Sequence, residues 1–153
     1  MSVNAADHIY TLRRTPFALA PVIHTFYDNW DGVEKDVLLS YLILPLITYK
    51  PIRKFLSNSN RKSSIRTLTQ EASRIVGLEL RIEEFKPITN AALLILTSEK
   101  SITLNENMSL VALGEVREEN ADESLLKLAR KLAVILTGEN VVSTYRTLGL
   151  KSI

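Results

Sequence analysis

PITNAALLILTSEKSITLNENMSLVAL, residues 87–113, is the stretch on which the fold turns. Its first part, opened by Pro87 and running through Thr97, is mostly apolar and uncharged, and it reads as a helix. Then the period changes. Ile102 and Leu104 alternate with polar neighbours, Asn105-Glu106-Asn107 supplies turn residues, and Leu110, Ala112 and Leu113 resume the apolar run, the pattern of a β-hairpin. A helix leading straight into a two-stranded hairpin predicts a mainly α fold with a small β-hairpin, laid out as a winged-helix-like helical domain.

Working upstream, residues 78–85 fit a strand through Leu78, Leu80 and Ile82, or a helix through Leu78, Ile82 and Phe85; the helix is favoured. Ile65, Leu68, Ala72 and Ile75 mark an amphipathic helix closed by Gly77, where a left-handed cap is cheap. Before it come the loop Ser57-Asn58-Ser59-Asn60 and a short helical piece from Lys50-Pro51 through Leu56. Residues 35–44 predict a further helix with Val37, Leu38, Tyr41 and Leu42 inward, kinked or ended by Pro45. Thr15-Pro16 opens the first helix, with Leu19, Val22, Ile23, Phe26 and Trp30 on one stripe. Pro21 is expected to kink its first turn or to move its start.

Downstream, residues 114–122 form a polar, acidic linker. Asp122 then caps a helix with Leu125, Leu128, Leu132 and Leu136 on one face, and Val141, Val142, Tyr145 and Leu148 belong to a last short helix before Gly149. The expected organisation is a single domain over 1–153: a flexible arm at 1–13, helices plus hairpin at 14–113, the linker at 114–122, and C-terminal helices at 123–153.

Composition agrees with one globular unit. At 153 residues a chain buries roughly 70% of its unfolded surface. With no cysteine there is no disulfide framework and no thiolate chemistry, which fits a reducing, cytoplasmic setting. The longest apolar run, residues 37–49, is too short to span a bilayer and holds Pro45. Arg13-Arg14 precedes an apolar stretch, but Pro16, Pro21 and His24 interrupt it and no small-residue cleavage site follows, so export is not expected.

Residues that carry chemistry are sparse. His8 and His24 lie far apart, and His24 sits on an apolar helix, where a partly buried, satisfied ring is the expected state. Asp28, Asp31 and Glu34 lack calcium-loop spacing and read as a solvated turn. The acids Glu115, Glu118, Glu119, Asp122 and Glu123 lead into a helix N-terminus, which explains them electrostatically. Scattered glycines form no phosphate loop, and no serine stands in a nucleophile elbow. Neither catalysis, a cofactor nor a metal is expected.

Charge distribution says more than the net +2. Residues 50–70 hold no acid, while Lys50, Arg53, Lys54, Arg61, Lys62 and Arg66 are basic and interleaved with Asn58, Asn60, Ser63 and Ser64. Lys127, Arg130 and Lys131, three and four residues apart, form a second basic group expected on one helix face. These nine side chains are candidates for binding phosphates or an acidic partner; a solvated surface is the bland alternative. Sequence-specific DNA reading is disfavoured, because the helix before the hairpin carries no basic residue over 88–97.

The order of these blocks is similar to that of a known family. Thr15-Pro16 and the stripe to Trp30, Leu42-Ile43-Leu44-Pro45-Leu46-Ile47, Lys50-Pro51-Ile52-Arg53, then Leu56, Asn58, Arg61 and Ser64 come in sequence. The hairpin, Leu128-Ala129-Arg130-Lys131-Leu132 and Val142-Ser143-Thr144-Tyr145-Arg146-Thr147-Leu148-Gly149 follow. Over residues 14–151 the chain resembles the middle components of three-component ABC systems. The resemblance implies neighbours: an SMC-like ABC ATPase with a long coiled coil and an effector, often a nuclease, as in Lamassu-type anti-phage defence. The implied role is a non-catalytic adaptor or scaffold in a hetero-oligomer, with nucleic acid reached through the complex, no membrane and no small-molecule substrate. The alternative is a small winged-helix-like DNA-binding protein using the 50–66 segment nonspecifically.

Overall fold

The computed structural model describes residues 15–119 and 121–151; the expected arm at 1–13 lies outside them. The described helices and strands are α1 (Pro16–Asp28), α2 (Ser40–Ile47), α3 (Lys50–Ser57), α4 (Ile65–Thr69), α5 (Leu78–Ser98), β1 (Ile102–Leu104), β2 (Leu110–Ala112), α6 (Glu123–Leu136) and α7 (Val141–Thr147). Short 3-10 turns occupy Asp36–Leu39 and Ala72–Arg74.

The Thr15 hydroxyl accepts from the Ala18 amide at 3.2 Å, and Pro16 stands where a missing donor is harmless, so α1 begins there despite Pro21. Pro21 deprives the Phe17 carbonyl of its donor, but Phe17 is 72% exposed in the first turn and water is at hand. Ala18 through Tyr27 are all buried, so α1 is a central helix rather than a half-solvated one. It packs between α5 and α6; α2 packs on α5, α3 on α6, and β2 on α1.

Three helix boundaries differ from the sequence expectation, each for a visible reason. Residues 35–44 are not one α-helix. The Tyr27 hydroxyl donates to the Asp36 carbonyl at 2.7 Å, and the Ser40 amide bonds to Val37 instead, giving a 3-10 turn that runs into α2. Pro45 lies inside α2 rather than ending it. The helix expected over 65–75 stops at Thr69, because Arg74 Nη1 reaches back to the Thr67 and Leu68 carbonyls at 3.1 and 3.3 Å. Gly77 keeps the expected left-handed conformation, φ 72°, but it precedes α5 as its N-cap.

The third correction concerns α5. The two helices expected at 78–85 and 87–97 are one 21-residue helix with Pro87 inside. Leu78, Ile82, Phe85, Thr89, Ala92 and Leu96 are its buried residues, alternating steps of four and three, so one stripe faces the core through the proline. The carbonyl that Pro87 leaves without a donor belongs to exposed Glu83.

The hairpin forms as expected, antiparallel, pairing Ile102 with Ala112, Thr103 with Val111 and Leu104 with Leu110. Its turn does not project freely. Lys35 N donates to Asn107 O at 3.0 Å and Val37 N to Met108 O at 3.1 Å. Asp36, fully buried, adds a clamp: Oδ1 accepts from the Leu110 amide at 2.7 Å, and Oδ2 from Trp30 Nε1 at 2.9 Å and the Val33 amide at 3.0 Å. On the far side, Asp122 caps α6 through the Ser124 amide at 2.9 Å. Asn140 caps α7, and the Tyr145 hydroxyl donates to the Leu38 carbonyl at 2.6 Å.

Candidate partner-binding face

Helix α3 buries Ile52 and Leu56 and leaves Lys50, Arg53 and Lys54 exposed. Arg53 and Ser57, one turn apart, meet α6: Arg53 Nη2 donates to Ser124 Oγ at 3.4 Å, and Lys131 Nζ donates to the Ser57 carbonyl at 3.2 Å. Two basic groups remote in sequence therefore join into one face. Lys127 stands one turn before Lys131 on α6 and is exposed beside them.

Not every candidate joins. Arg130 turns away: its Nη2 lies 3.4 Å from Glu118 Oε1, in a hollow shared with Asp28 and the 114–116 segment. The expected common face of Lys127, Arg130 and Lys131 thus holds only for the two lysines, because Glu118 draws the guanidinium to the linker. Arg61 and Lys62 are exposed in a loop ordered by Asn60, whose Oδ1 accepts from the Lys62 amide at 2.8 Å. Lys54 borders a groove of about 270 Å³ with Phe55, Glu71 and Arg74. Arg66 is exposed on α4, which packs on α7 and the Ala72–Arg74 turn.

Among the described residues, Lys50, Arg53, Lys54, Arg61, Lys62, Arg66, Lys127 and Lys131 have no carboxylate within ion-pair distance. Cations gathered without counter-charges concentrate positive potential, which an acidic surface or phosphates would relieve. His24 departs from expectation. It is 1% exposed rather than partly buried, and Nε2 has no hydrogen-bond partner among the described residues. Burial lowers its pKa below 6.5, opposed by Asp28, a backbone hydrogen bond at Leu113 and Glu99. Asp36 is a buried acid that sequence reasoning missed; its only signal was a carboxylate placed directly ahead of an apolar run.

No group of three or more His, Asp or Glu residues suited to a metal occurs among the described residues, and no described helix is long and apolar enough to cross a membrane. The class this defines is a mainly helical protein with a clamped hairpin and a cationic face. The family model for middle component 3 of ABC-three component (ABC-3C) systems matches residues 3–152, and the chain belongs to that family. Membership implies association with the other components of such a system. No curated protein and no solved structure matches the chain.

Proposed function

We propose that this middle component is a non-catalytic adaptor that links an SMC-like ABC ATPase to an effector, a nuclease in the Lamassu-type defence setting, and that the α3–α6 cationic face is where it docks. The observation that carries the reading is the convergence of Arg53, Lys127 and Lys131 on one surface without carboxylate partners. Such a face fits an acidic stretch of a partner, and its charge sets encounter rate and register more than raw affinity. A winged-helix use of the hairpin against DNA is the weaker reading: the turn's Asn107 and Met108 carbonyls are tied to Lys35 and Val37.

The test is co-expression with each neighbouring component and affinity capture of the Arg53→Glu/Lys131→Glu variant. Capture of one component should fall at least tenfold, with an unchanged thermal midpoint. Duplex DNA binding over a salt series is the companion measurement. Neutralising about four phosphates would give a log–log slope of roughly −3.6, and tight binding with that slope would favour direct phosphate contact instead.

A further inference from the structure

Beyond the docking face, a pocket of about 190 Å³ opens where α1, the C-terminal end of α5 and the 117–119 segment meet. His24 lines it, almost wholly buried, with an Nε2 that nothing among the described residues satisfies. In the tautomer that carries its proton on Nδ1, the ring presents the unpartnered Nε2 as a lone pair. A buried acceptor left without a donor is costly, and a void this size has room for several waters or a group of a few heavy atoms.

The surrounding charge selects what the donor is. Glu99 and Glu119 both line the pocket. Arg117 Nη1 lies 3.5 Å from Glu99 Oε1 and answers one of them, while Glu119 has no cation within ion-pair distance among the described residues. Asp28 adds negative potential at the ring. Anions are repelled here, and a cation carrying N–H donors satisfies both the carboxylate and the ring. Phe17, Pro21 and Ile95 complete an apolar wall along which a short hydrocarbon stem would lie.

We propose that this pocket binds a short alkyl chain ending in a cationic nitrogen donor, an alkylguanidinium or alkylammonium group. Its N–H is accepted by His24 Nε2, Glu119 balances its charge, and its stem rests on Phe17 and Pro21. The same chemistry reaches the pocket as a free amine or as an arginine or lysine side chain of another protein.

The test uses the full chain carrying His8→Gln, so that His24 supplies the sole imidazole signal in nitrogen-15 spectra at neutral pH. n-Propylguanidinium should shift Nε2 saturably, with the millimolar dissociation constant usual for a probe of so few atoms. Butyrate and 1-butanol should produce no saturable shift at tenfold higher concentration. Glu119→Gln, on an exposed residue, should weaken the cation at least threefold without moving the thermal midpoint. A blocked arginine amide distinguishes the sources: binding points to a protein side chain, and failure beside a binding n-propylguanidinium points to a free small molecule. The proposal is overturned by no saturable shift with either cation, by butyrate binding as well as the cation, or by an unaltered Glu119→Gln.

Discussion

Asp36 shows how much one buried carboxylate decides when its partners are N–H groups rather than a cation. Asp36→Ala would leave Trp30 Nε1 and the Val33 and Leu110 amides without their acceptor. At about 1 kcal/mol or more for each stranded donor, the loss should be about 3 kcal/mol or more, measured by denaturant unfolding at neutral pH. Asp36→Asn should lose less, since its amide oxygen still accepts. His24 makes a second residue-scale prediction, with a definite sign. Its folded-state pKa lies below 6.5, so beneath that pH the unfolded chain takes up a proton that the folded chain refuses. The contribution to stability is therefore complete above about pH 6.5 and declines as pH falls toward the folded-state value. Thermal midpoints should drop more between pH 7.5 and 5.5 in the parent than in His24→Gln. The apolar helix around His24 made its burial legible in the sequence but not its unpartnered Nε2, and the burial of Asp36 was not legible at all. Asp36 sits near Asp28, Asp31 and Glu34, which read together as a solvated turn, and only the packing of α1 against the hairpin takes it out of water.

At the scale of elements, the helices and the hairpin were legible because burial leaves a period in the sequence. Leu125, Leu128, Leu132 and Leu136 mark α6, and the alternation around 102–112 marks the strands. Boundaries were less legible wherever proline intervened. Pro21, Pro45 and Pro87 all lie inside helices. In α1 and α5 the carbonyl left without a donor belongs to an exposed residue, so solvent replaces the lost bond and the apolar stripe carries the helix onward. Pro87→Ala restores an amide to the Glu83 carbonyl on that solvated side. It should raise unfolding stability by about 1 kcal/mol, less than the intrinsic penalty of proline because the unfolded chain gains freedom too. An unchanged or lower stability would mean that Pro87 is itself required by the packing of α5 on α1 and α2. The end of α4 was illegible for another reason: Arg74, later in the chain, supplies the donors that close it.

For the whole molecule, the surplus of cations over 50–70 was plain in the sequence, but its continuation onto α6 was not. That junction depends on α3 lying against α6, which places Lys131 at the Ser57 carbonyl and Arg53 at Ser124. Geometry also sorts the candidates into unequal members. Lys131→Glu should cut capture of the docking component by about tenfold and make the remainder less sensitive to added salt. Arg66→Glu changes the net charge equally, yet its helix packs on α7, and capture should stay within about twofold of the parent. Equal losses from the two variants would show that net charge, not the α3–α6 face, governs assembly.

The clamp at the hairpin turn also bears on time. Strands three residues long ordinarily surrender their amide protons to solvent through local fraying. The Leu110 amide is held otherwise, inside the core by a carboxylate that simultaneously grips the indole of Trp30 and the backbone at Val33. Its proton escapes only when α1, the following loop and the hairpin part together. In deuterated solvent the Leu110 signal should therefore outlast those of its strand neighbours and decay at the rate set by global opening. A single resonance then serves as a clock for the entire molecule.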